Sequence, residues 1–360
     1  MHSNGRLANW KKKISDGGKR FGRALRDGFP GGVALLLAMS LLPLTAAALR
    51  ERNERPEESD PPSLPGEAVY VAASEAVSPS SSESDSPALG IESDGLLLGL
   101  CRTKEKTVEE ITLEDYLVGV LCAEVSAEFP PAALQAQAVA ARTYCLYRIE
   151  KGKLHPDGAE LCDDYAHCMA YKDPALVGEE KASAMRAAVQ ATAGEVLTYD
   201  GKLIDAVFHD SSRGYTESAL AVWGIELPYL QPVSTPEEPR ESGVTVTAEE
   251  IFAALGREVP ASSEPFGGVT EDAAGRALTV RICETDLTAL ELRQALGLRS
   301  TSFTVTYEAG KYAFHVCGYG HGVGMSQQGA RAMAEAGDDC REILLHYYTG
   351  CDIVPYSSAK

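Results

Sequence analysis

Apolar residues first recur at a helical spacing in the segment that begins near Val108. The repeated positions are Leu113, Tyr116, Leu117, Val120 and Leu121. Steps of three and four residues predict an amphipathic helix, with Thr112 as its N-cap. Pro130 and Pro131 predict the end of this helix and the start of a second one. The following alanine-rich stretch, ALQAQAVAARTYCLYR, favours that second helix by its high helix propensity.

After residue 195 the pattern changes to short β-branched and aromatic runs separated by Gly and Pro. Such runs predict strands and hairpins, as in EVLTYDGKLIDAVFHDS, ALTVRICETD and SFTVTYEAGKYAFHVCG. Helical spacing returns over residues 248–256, 287–296 and 326–348. Because strands and helices do not alternate regularly, we predict an α+β fold with antiparallel strands over residues 96–360.

The N-terminal part has a different composition. Residues 1–28 are basic and predict a cytoplasmic segment, and the uncharged residues 29–49 are about as long as the ~20 residues that cross a bilayer as a helix. Small residues at 45–48 leave a cleaved signal peptide as the alternative. Residues 50–95 are rich in Pro, Ser and Glu, which predicts a disordered linker. Both alternatives export the folded part, and the uncleaved one leaves it anchored to the cell membrane by a single pass.

The formal net charge of -19 excludes one class of partner. A nucleic-acid binder needs clustered Lys and Arg to neutralise phosphates. We therefore expect no nucleic-acid partner.

Glu124 continues the apolar face of the first predicted helix. Desolvation favours the neutral form of a carboxyl group, and a protonated carboxyl near neutral pH is the proton donor that a glycosidic oxygen requires. A salt-bridged or half-exposed glutamate at the end of a helix is the simpler interpretation. Spacing alone does not decide between them.

Two polar segments are candidates for a binding groove. Five glycines occur in GYGHGVGMSQQGA, where a backbone can approach a ligand closely, and this segment supplies His321, Ser326 and Gln327. In SSRGYTES, the hydroxyls of Ser211 and Ser212 are candidates for sugar binding. A tight structural turn and a polar turn, respectively, are the alternatives.

The nine cysteines are too few for a disulfide-stapled scaffold, and most are expected to be buried as small apolar residues. One group differs from the rest: His155, Cys162, His167 and Cys168 fall within 14 residues. Thiolate and imidazole are preferred zinc ligands, so this group suits a structural tetrahedral site with no open position for water. A disulfide between Cys162 and Cys168 is the rival.

Taken together, these motifs resemble the stage II sporulation protein D family, the lytic transglycosylases of endospore engulfment. The resemblance covers residues 113–352. Its segments are LEDYLVGVLCAEV, FPPAALQAQAVAARTYCLYR, SSRGYTES, VWGIELPYL, LRQALGLRSTSF, GYGHGVGMSQQGA and ILLHYYTG. One departure is Arg213-Gly214, where the family usually has a Gly-Gly pair.

The resemblance implies that Glu124 is the catalytic acid and that Arg142 is its active-site partner. It also implies cleavage of denuded peptidoglycan between N-acetylmuramic acid and N-acetylglucosamine, with a 1,6-anhydro product. Some members of the family carry zinc on two His and two Cys, which favours zinc here. No organic cofactor is expected.

The expected partners are glycan strands, a cell-wall amidase and a polytopic membrane protein of the engulfment complex. Two alternatives remain at this point. One is a noncatalytic glycan-binding scaffold, and the other is a hydrolase with a second carboxylate such as Glu128 or Glu217.

Overall fold

Helix α1 spans Leu113–Glu124 and helix α2 spans Pro131–Glu150, where the apolar pattern predicts them. The Thr112 side chain accepts a hydrogen bond from the Asp115 backbone N–H, which confirms the predicted N-cap. Pro131 begins α2, because a first helical residue has no intrahelical use for its N–H. The helical pattern does not extend back to Val108. That residue lies in a strand.

The computed structural model describes residues 95–359, apart from 153–154, 156–157, 166 and 273–274. The predicted basic segment, membrane helix and linker, up to residue 94, lie outside the described residues. Within the part of the chain that is described, no helix is both long and apolar enough to span a bilayer.

The larger of the two main apolar cores forms around α2, most of whose residues are buried, and a third, small cluster contains Cys101, Ala159, Cys162 and Cys168. Helix α1 packs on α2 and on α3 (Glu179–Ala191), while α7 (Gln327–Ala336) and α8 (Cys340–Tyr347) also pack on α2. Two three-stranded sheets flank these helices. Their strands are β1 (Leu97–Arg102), β2 (Thr107–Thr112), β3 (Leu161–Cys162), β4 (Glu195–Tyr199), β5 (Lys202–Leu203) and β14 (Asp352–Pro355). The sheet orders are β2-β1-β3 and β14-β4-β5.

The smaller core lies between two antiparallel sheets, of order β10-β9-β8 and β11-β12-β7. The strands are β7 (Glu241–Val246), β8 (Phe266–Glu271), β9 (Ala277–Ile282), β10 (Thr285–Thr288), β11 (Phe303–Glu308) and β12 (Lys311–Cys317). Helices α5 (Ala248–Ala254) and α6 (Ala289–Leu296) pack against each other beside these sheets. Most strand pairs are antiparallel, so the prediction of an α+β fold is confirmed.

A pair of short parallel strands brings together the two polar segments, SSRGYTES and GYGHGVGMSQQGA. Strand β13 (Met325–Ser326) pairs in parallel with β6 (Phe208–His209), and a further bridge joins Ser211 to Tyr319. The short helix α4 (Ala219–Trp223) follows. The Gly-rich segment therefore runs beside residues 207–212, and α7 begins directly after β13.

Candidate active site

Glu124 is the last residue of α1 and is only 3% exposed. Its Oε1 accepts a hydrogen bond from the Ala170 backbone N–H at 3.1 Å, and its Oε2 accepts one from Gln327 Nε2 at 3.5 Å. Burial raises the pKa of Glu124 well above its usual 4.5, and these two hydrogen bonds oppose the rise without cancelling it. The predicted neutral carboxyl group is therefore what the fold favours.

Gln137 is a third member of this site that the motifs did not single out. Its Oε1 accepts a hydrogen bond from Gln327 Nε2 at 3.4 Å. Its own Nε2 is buried and has no hydrogen-bond partner among the described residues. A buried donor without a partner carries a free-energy cost, so this amide is available to a group that enters beside Glu124.

Arg142 does not reach this site. It is fully buried, its guanidinium forms a two-bond pair with Glu114 at 2.8 and 2.6 Å, and it also donates to the carbonyl oxygens of Val189 and Glu195. Arg142 lies five residues beyond Gln137 on α2, about 7.5 Å farther along the axis and on another face. The expected direct partnership with Glu124 is therefore corrected to an ion pair that fastens α2 to the start of α1.

The serines of the two polar segments meet in a buried network rather than on the surface. Glu237 Oε1 accepts hydrogen bonds from the Ser212 N–H at 2.8 Å and from the Ser326 hydroxyl at 2.6 Å. Ser326 also accepts from the Gly329 N–H and so caps α7, whose first residue is Gln327. Ser211 donates to Asp210. These hydroxyls have partners inside the protein, and together they fix the position of Gln327.

His209 belongs to the same network. Burial lowers its pKa to about 3, so the ring is neutral. Its Nδ1 faces the Val323 carbonyl oxygen at 3.1 Å, and a carbonyl only accepts, so Nδ1 carries the proton. Its Nε2 therefore accepts from the Ser212 hydroxyl at 2.5 Å.

The predicted sugar ligand His321 lies beside His209 and under Trp223, with ring centroids 5.7 and 5.1 Å away. Burial lowers its pKa well below 6.5, and its Nδ1 accepts from the Val323 N–H at 3.1 Å. The Arg276 guanidinium donates to the His321 carbonyl oxygen at 2.9 Å. His321 is thus a buried, neutral ring held by the smaller core.

The Gly-rich segment is explained by packing. Gly318, Gly320, Gly322 and Gly324 all have positive φ. A Cβ at Gly324 would lie 2.1 Å from the Val207 carbonyl oxygen, and one at Gly320 would lie 2.8 Å from the Cβ of His209. Only glycine permits this approach to residues 207–212. The structural-turn alternative accounts for the glycines, while the segment still delivers Ser326 and Gln327.

The four residues of the expected zinc site come together. The ligand atoms of His155, Cys162, His167 and Cys168 all lie within 4.8 Å of one another. The separations include 3.4 Å for His155 Nε2 to Cys168 Sγ and 3.5 Å for Cys168 Sγ to His167 Nδ1. Ligand atoms around tetrahedral zinc lie roughly 3.3–3.8 Å apart, as bonds of about 2.0–2.3 Å dictate. The donor set and its spacing therefore fit a metal ion such as zinc.

The two thiols of the cluster differ in their electrostatics, and only Cys168 is shifted toward the thiolate that binds a metal. A hydrogen bond between the two thiols lowers the pKa of Cys168 and raises that of Cys162. Both thiols are free in the structure. Most of the other cysteines are buried, as expected.

The metal cluster is linked to Glu124 by a short segment. Ala170, which donates to Glu124, follows Cys168 by two residues. Tyr171 stacks on Tyr116 of α1 at 5.5 Å, and a Cβ at Gly119 would overlap the Tyr171 ring at 2.2 Å. The segment after Cys168 therefore packs along α1. A ligand that fixes Cys168 would also fix the Ala170 N–H at Glu124.

Comparison with known proteins identifies the family of the chain. A family model described as "Stage II sporulation protein" matches residues 101–199. The stage II sporulation protein D of Bacillus amyloliquefaciens is 36% identical over 265 residues, which cover 70% of this chain and 77% of that protein. The chain belongs to the stage II sporulation protein D family. The member from Bacillus subtilis (strain 168) is 34% identical over the same shares.

A relative of this chain with lower sequence identity is named differently. The amidase enhancer of Bacillus subtilis (strain 168) is 29% identical over 298 residues, which cover 67% of this chain and 40% of that protein. The matched range 101–199 contains Glu124, Gln137 and the metal cluster, whereas Gln327 and the serine network lie beyond it.

Proposed function

We propose that this sporulation-family protein is a peptidoglycan lytic transglycosylase of endospore engulfment. It cleaves denuded glycan strands between N-acetylmuramic acid and N-acetylglucosamine and leaves a 1,6-anhydro end. One observation carries the proposal: Glu124 is buried with a raised pKa, and both of its oxygens are fixed by N–H donors. A carboxyl group kept protonated near neutral pH is a general acid.

In the proposed reaction, protonated Glu124 gives its proton to the glycosidic oxygen as the C1–O bond breaks. The C6 hydroxyl of the same muramic acid then attacks C1, and the Glu124 carboxylate takes the hydroxyl proton. Glu124 thus ends in its starting state, and no water is consumed. The Ala170 N–H and the Gln327 amide keep the carboxyl group oriented through both proton transfers.

Amide groups, and no second carboxylate, share the hydrogen bonds of the Glu124 side chain among the described residues. Ordinary glycosidases place a second carboxylate about 5–10 Å away as nucleophile or base. The side chains that bond Glu124 or its partner here are the amides of Gln327 and Gln137. Glu128 is exposed after the end of α1, and Glu217 lies instead beside Gly322 and Arg276. An internal nucleophile, such as the C6 hydroxyl of the substrate, requires no second catalytic carboxylate.

We further propose that zinc is bound by His155, Cys162, His167 and Cys168 as a structural ion. When bound, the metal supplies a fixed cross-link, because all four positions are filled by protein. This cross-link would hold the Ala170 N–H in place at Glu124. Arg142 fastens α2 to the start of α1, and Ser211, Ser212 and Ser326 act as positioning residues. Gln137 and Gln327 lie beside Glu124 at the bond to be cleaved, and His321 packs against His209 of the network that positions Gln327.

The membrane anchor at residues 29–49, the extracytoplasmic location and the partners are part of the same proposal. A cell-wall amidase would remove stem peptides before the glycan is cut, and a polytopic membrane protein would hold the two together. The name of the amidase enhancer relative supports an amidase partner. Membrane fractionation of the full chain and of a chain that begins at residue 50 tests the anchor: recovery of both in the soluble fraction would contradict it.

Product analysis in water labelled with oxygen-18 distinguishes the proposed transglycosylase from a hydrolase. The proposal predicts anhydromuramic ends without solvent oxygen in the mass spectrum of digested denuded strands. Labelled reducing ends would instead identify the hydrolase.

The amidase enhancer name also favours one second candidate, a scaffold that binds glycan and activates an amidase without cleavage. It predicts that the Glu124→Gln chain stimulates the amidase as well as the unaltered chain does. The transglycosylase proposal predicts that glycan release is lost.

A further inference from the structure

Gln137 is a buried polar side chain on α2 that takes no part in either proton transfer of the proposed reaction. It is only 1% exposed. Its Oε1 accepts a hydrogen bond from Gln327 Nε2, whereas its own Nε2 has no hydrogen-bond partner among the described residues. An amide N–H that is buried without a partner destabilises the fold, so a ligand that pairs with this atom would stabilise the protein.

The contact with Gln137 fixes which end of the Gln327 amide faces Glu124. The nitrogen of an amide carries two hydrogens and its oxygen carries none. Gln327 Nε2 donates one hydrogen to Gln137 Oε1 at 3.4 Å and the other to Glu124 Oε2 at 3.5 Å. The second oxygen of Glu124 accepts from the Ala170 backbone N–H at 3.1 Å, a donor that cannot be reversed. Both oxygens of Glu124 therefore face donors.

This arrangement decides where the proton of Glu124 can go. Among the described residues, both hydrogen bonds of the Glu124 carboxyl group come from donors, so its proton has no acceptor in the protein and is available to a glycosidic oxygen. If both amides were turned over, Gln327 Oε1 would lie at Glu124 and accept that proton, and Gln137 Nε2 would donate to the same oxygen. The reversed arrangement would thus withhold the proton from the glycan.

The two arrangements differ in the atom of Gln137 that is left without a partner. In the observed arrangement it is the donor Nε2, and in the reversed one it would be the acceptor Oε1. A ligand that places an acceptor oxygen at Nε2 therefore stabilises the observed arrangement relative to the reversed one. A glycan strand offers such acceptors, because its hydroxyl and carbonyl oxygens carry lone pairs.

We propose that Gln137 is a substrate-binding and positioning residue for the catalytic acid. Its Nε2 binds an acceptor oxygen of the glycan and its Oε1 holds the Gln327 amide, so that the proton of Glu124 is directed at the glycosidic oxygen. The inference rests on the proposed function. The unpaired N–H of Gln137 is the atom through which bound glycan prepares Glu124 for proton transfer.

The pKa of Glu124, measured on the full chain in detergent, tests this inference without any reaction. Burial raises this pKa, the hydrogen bonds from Gln327 and Ala170 lower it, and no charged side chain is among the causes of the shift. In Gln137→Met the Gln327 amide loses the acceptor that holds it and is free to turn its oxygen to the neutral carboxyl group. We expect the proton-binding constant of Glu124 to rise about tenfold, as for one hydrogen bond. The carboxyl infrared band, assigned by its absence in Glu124→Gln, gives this constant from its pH dependence.

Two comparisons show whether Gln137 acts through Gln327. Gln135→Met changes a half-buried glutamine two residues earlier on α2 and should leave the pKa of Glu124 unchanged. In a Gln327→Met chain no amide is left to turn, so the added Gln137→Met should change the proton-binding constant by less than about twofold. A tenfold rise that persists in the Gln327→Met chain would overturn the route through Gln327, as would an unchanged pKa in Gln137→Met. Gln137→Leu takes the place of Gln137→Met if the methionine variant does not fold.

Kinetics on denuded strands test the glycan contact. Gln137→Met is expected to lower kcat about tenfold, because the Glu124 proton is withheld, and to raise KM, because the glycan loses a hydrogen bond. Gln135→Met should change neither constant. An unchanged KM in Gln137→Met would overturn the contact between Gln137 and the glycan.

The outcomes also separate this inference from the proposed function. If the pKa rise and its dependence on Gln327 are found but the unaltered chain releases no anhydro ends, the amide arrangement stands and the proposed reaction is wrong. If the unaltered chain releases anhydro ends but Gln137→Met leaves kcat and the pKa of Glu124 unchanged, the inference is wrong and the reaction stands.

Discussion

At the scale of single residues, the surroundings of Glu124 shift its pKa in opposite directions. Its burial favours the neutral form, while the Ala170 N–H and the Gln327 amide favour the carboxylate. Both forms are needed in turn by an acid that later acts as a base. Helical spacing placed Glu124 on the apolar face of α1 but left open whether its carboxyl group is buried, and it did not reveal Gln137 or Ala170. Gln137 lies in an alanine-rich helix without a polar face, and Ala170 acts only through its backbone.

The raised pKa of Glu124 predicts how stability changes with pH. In the unfolded chain this carboxyl group ionises near its usual 4.5, whereas the folded protein keeps it protonated to higher pH. The unfolded state therefore binds fewer protons above that pH, and stability falls as pH rises through the folded pKa. Relative to Glu124→Gln, the unaltered protein should lose free energy of unfolding between pH 5 and 8 in urea titrations. The exposed Glu128→Gln is the control, and a constant difference for Glu124→Gln would contradict the prediction.

Arg142 should matter for stability and not directly for chemistry. Arg142→Met leaves Glu114 without its partner, and breaking a buried pair costs about 3 kcal/mol in urea unfolding. The matched change Arg331→Met breaks an exposed pair with Glu335 and should cost less than about 1 kcal/mol. A large loss of kcat with full stability in Arg142→Met would restore the direct catalytic role.

At the scale of elements, the boundaries depend on contacts that are distant in sequence. Residues 107–112 continue the apolar pattern of α1, yet they form β2 because β1 lies alongside. Helix α3 was not predicted: only four of its side chains are buried, so its apolar signal is short. The hairpin of β11 and β12 was predicted because its alternation is strict and local.

Gly324 is expected to be the least replaceable glycine of the Gly-rich segment. Gly324→Ala combines a φ of 71° with a Cβ 2.1 Å from a backbone oxygen, so β13 and β6 would have to separate. Gly337→Ala has a φ of 109° but open space, and should cost only about 1–2 kcal/mol. Thermal unfolding of both compares them. Equal costs would show that Val207 does not limit this position.

Removal of the metal should loosen the segment that leads to Glu124. Chelation, or Cys168→Ser, is expected to lower Tm by at least about 5 °C, which corresponds to a loss of roughly 2 kcal/mol in a domain of this size. Amide exchange should rise at residues 169–172, and Cys340→Ser is the control. An unaffected Tm, together with a Cys162–Cys168 disulfide in the mass spectrum, would contradict the zinc site and support the disulfide instead.

At the scale of the molecule, the described residues divide between separate apolar clusters. Glu124 ends α1, which packs in the larger core, and the two cysteines of the metal cluster lie in a third, small cluster with Cys101 and Ala159, whereas strands β7 to β12 surround the smaller core. The sequence predicted the mixed fold and the motifs, but not this division, because it arises from sheets whose strands are far apart in the chain.

Release of glycan fragments from denuded strands by the unaltered chain, by Glu124→Gln and by Glu128→Gln tests the central claim most directly. The proposed function predicts anhydro ends from the unaltered chain and from Glu128→Gln, and at least about a thousandfold slower release from Glu124→Gln while glycan binding is retained. Release by Glu124→Gln at the unaltered rate would contradict the assignment of Glu124 as the catalytic acid.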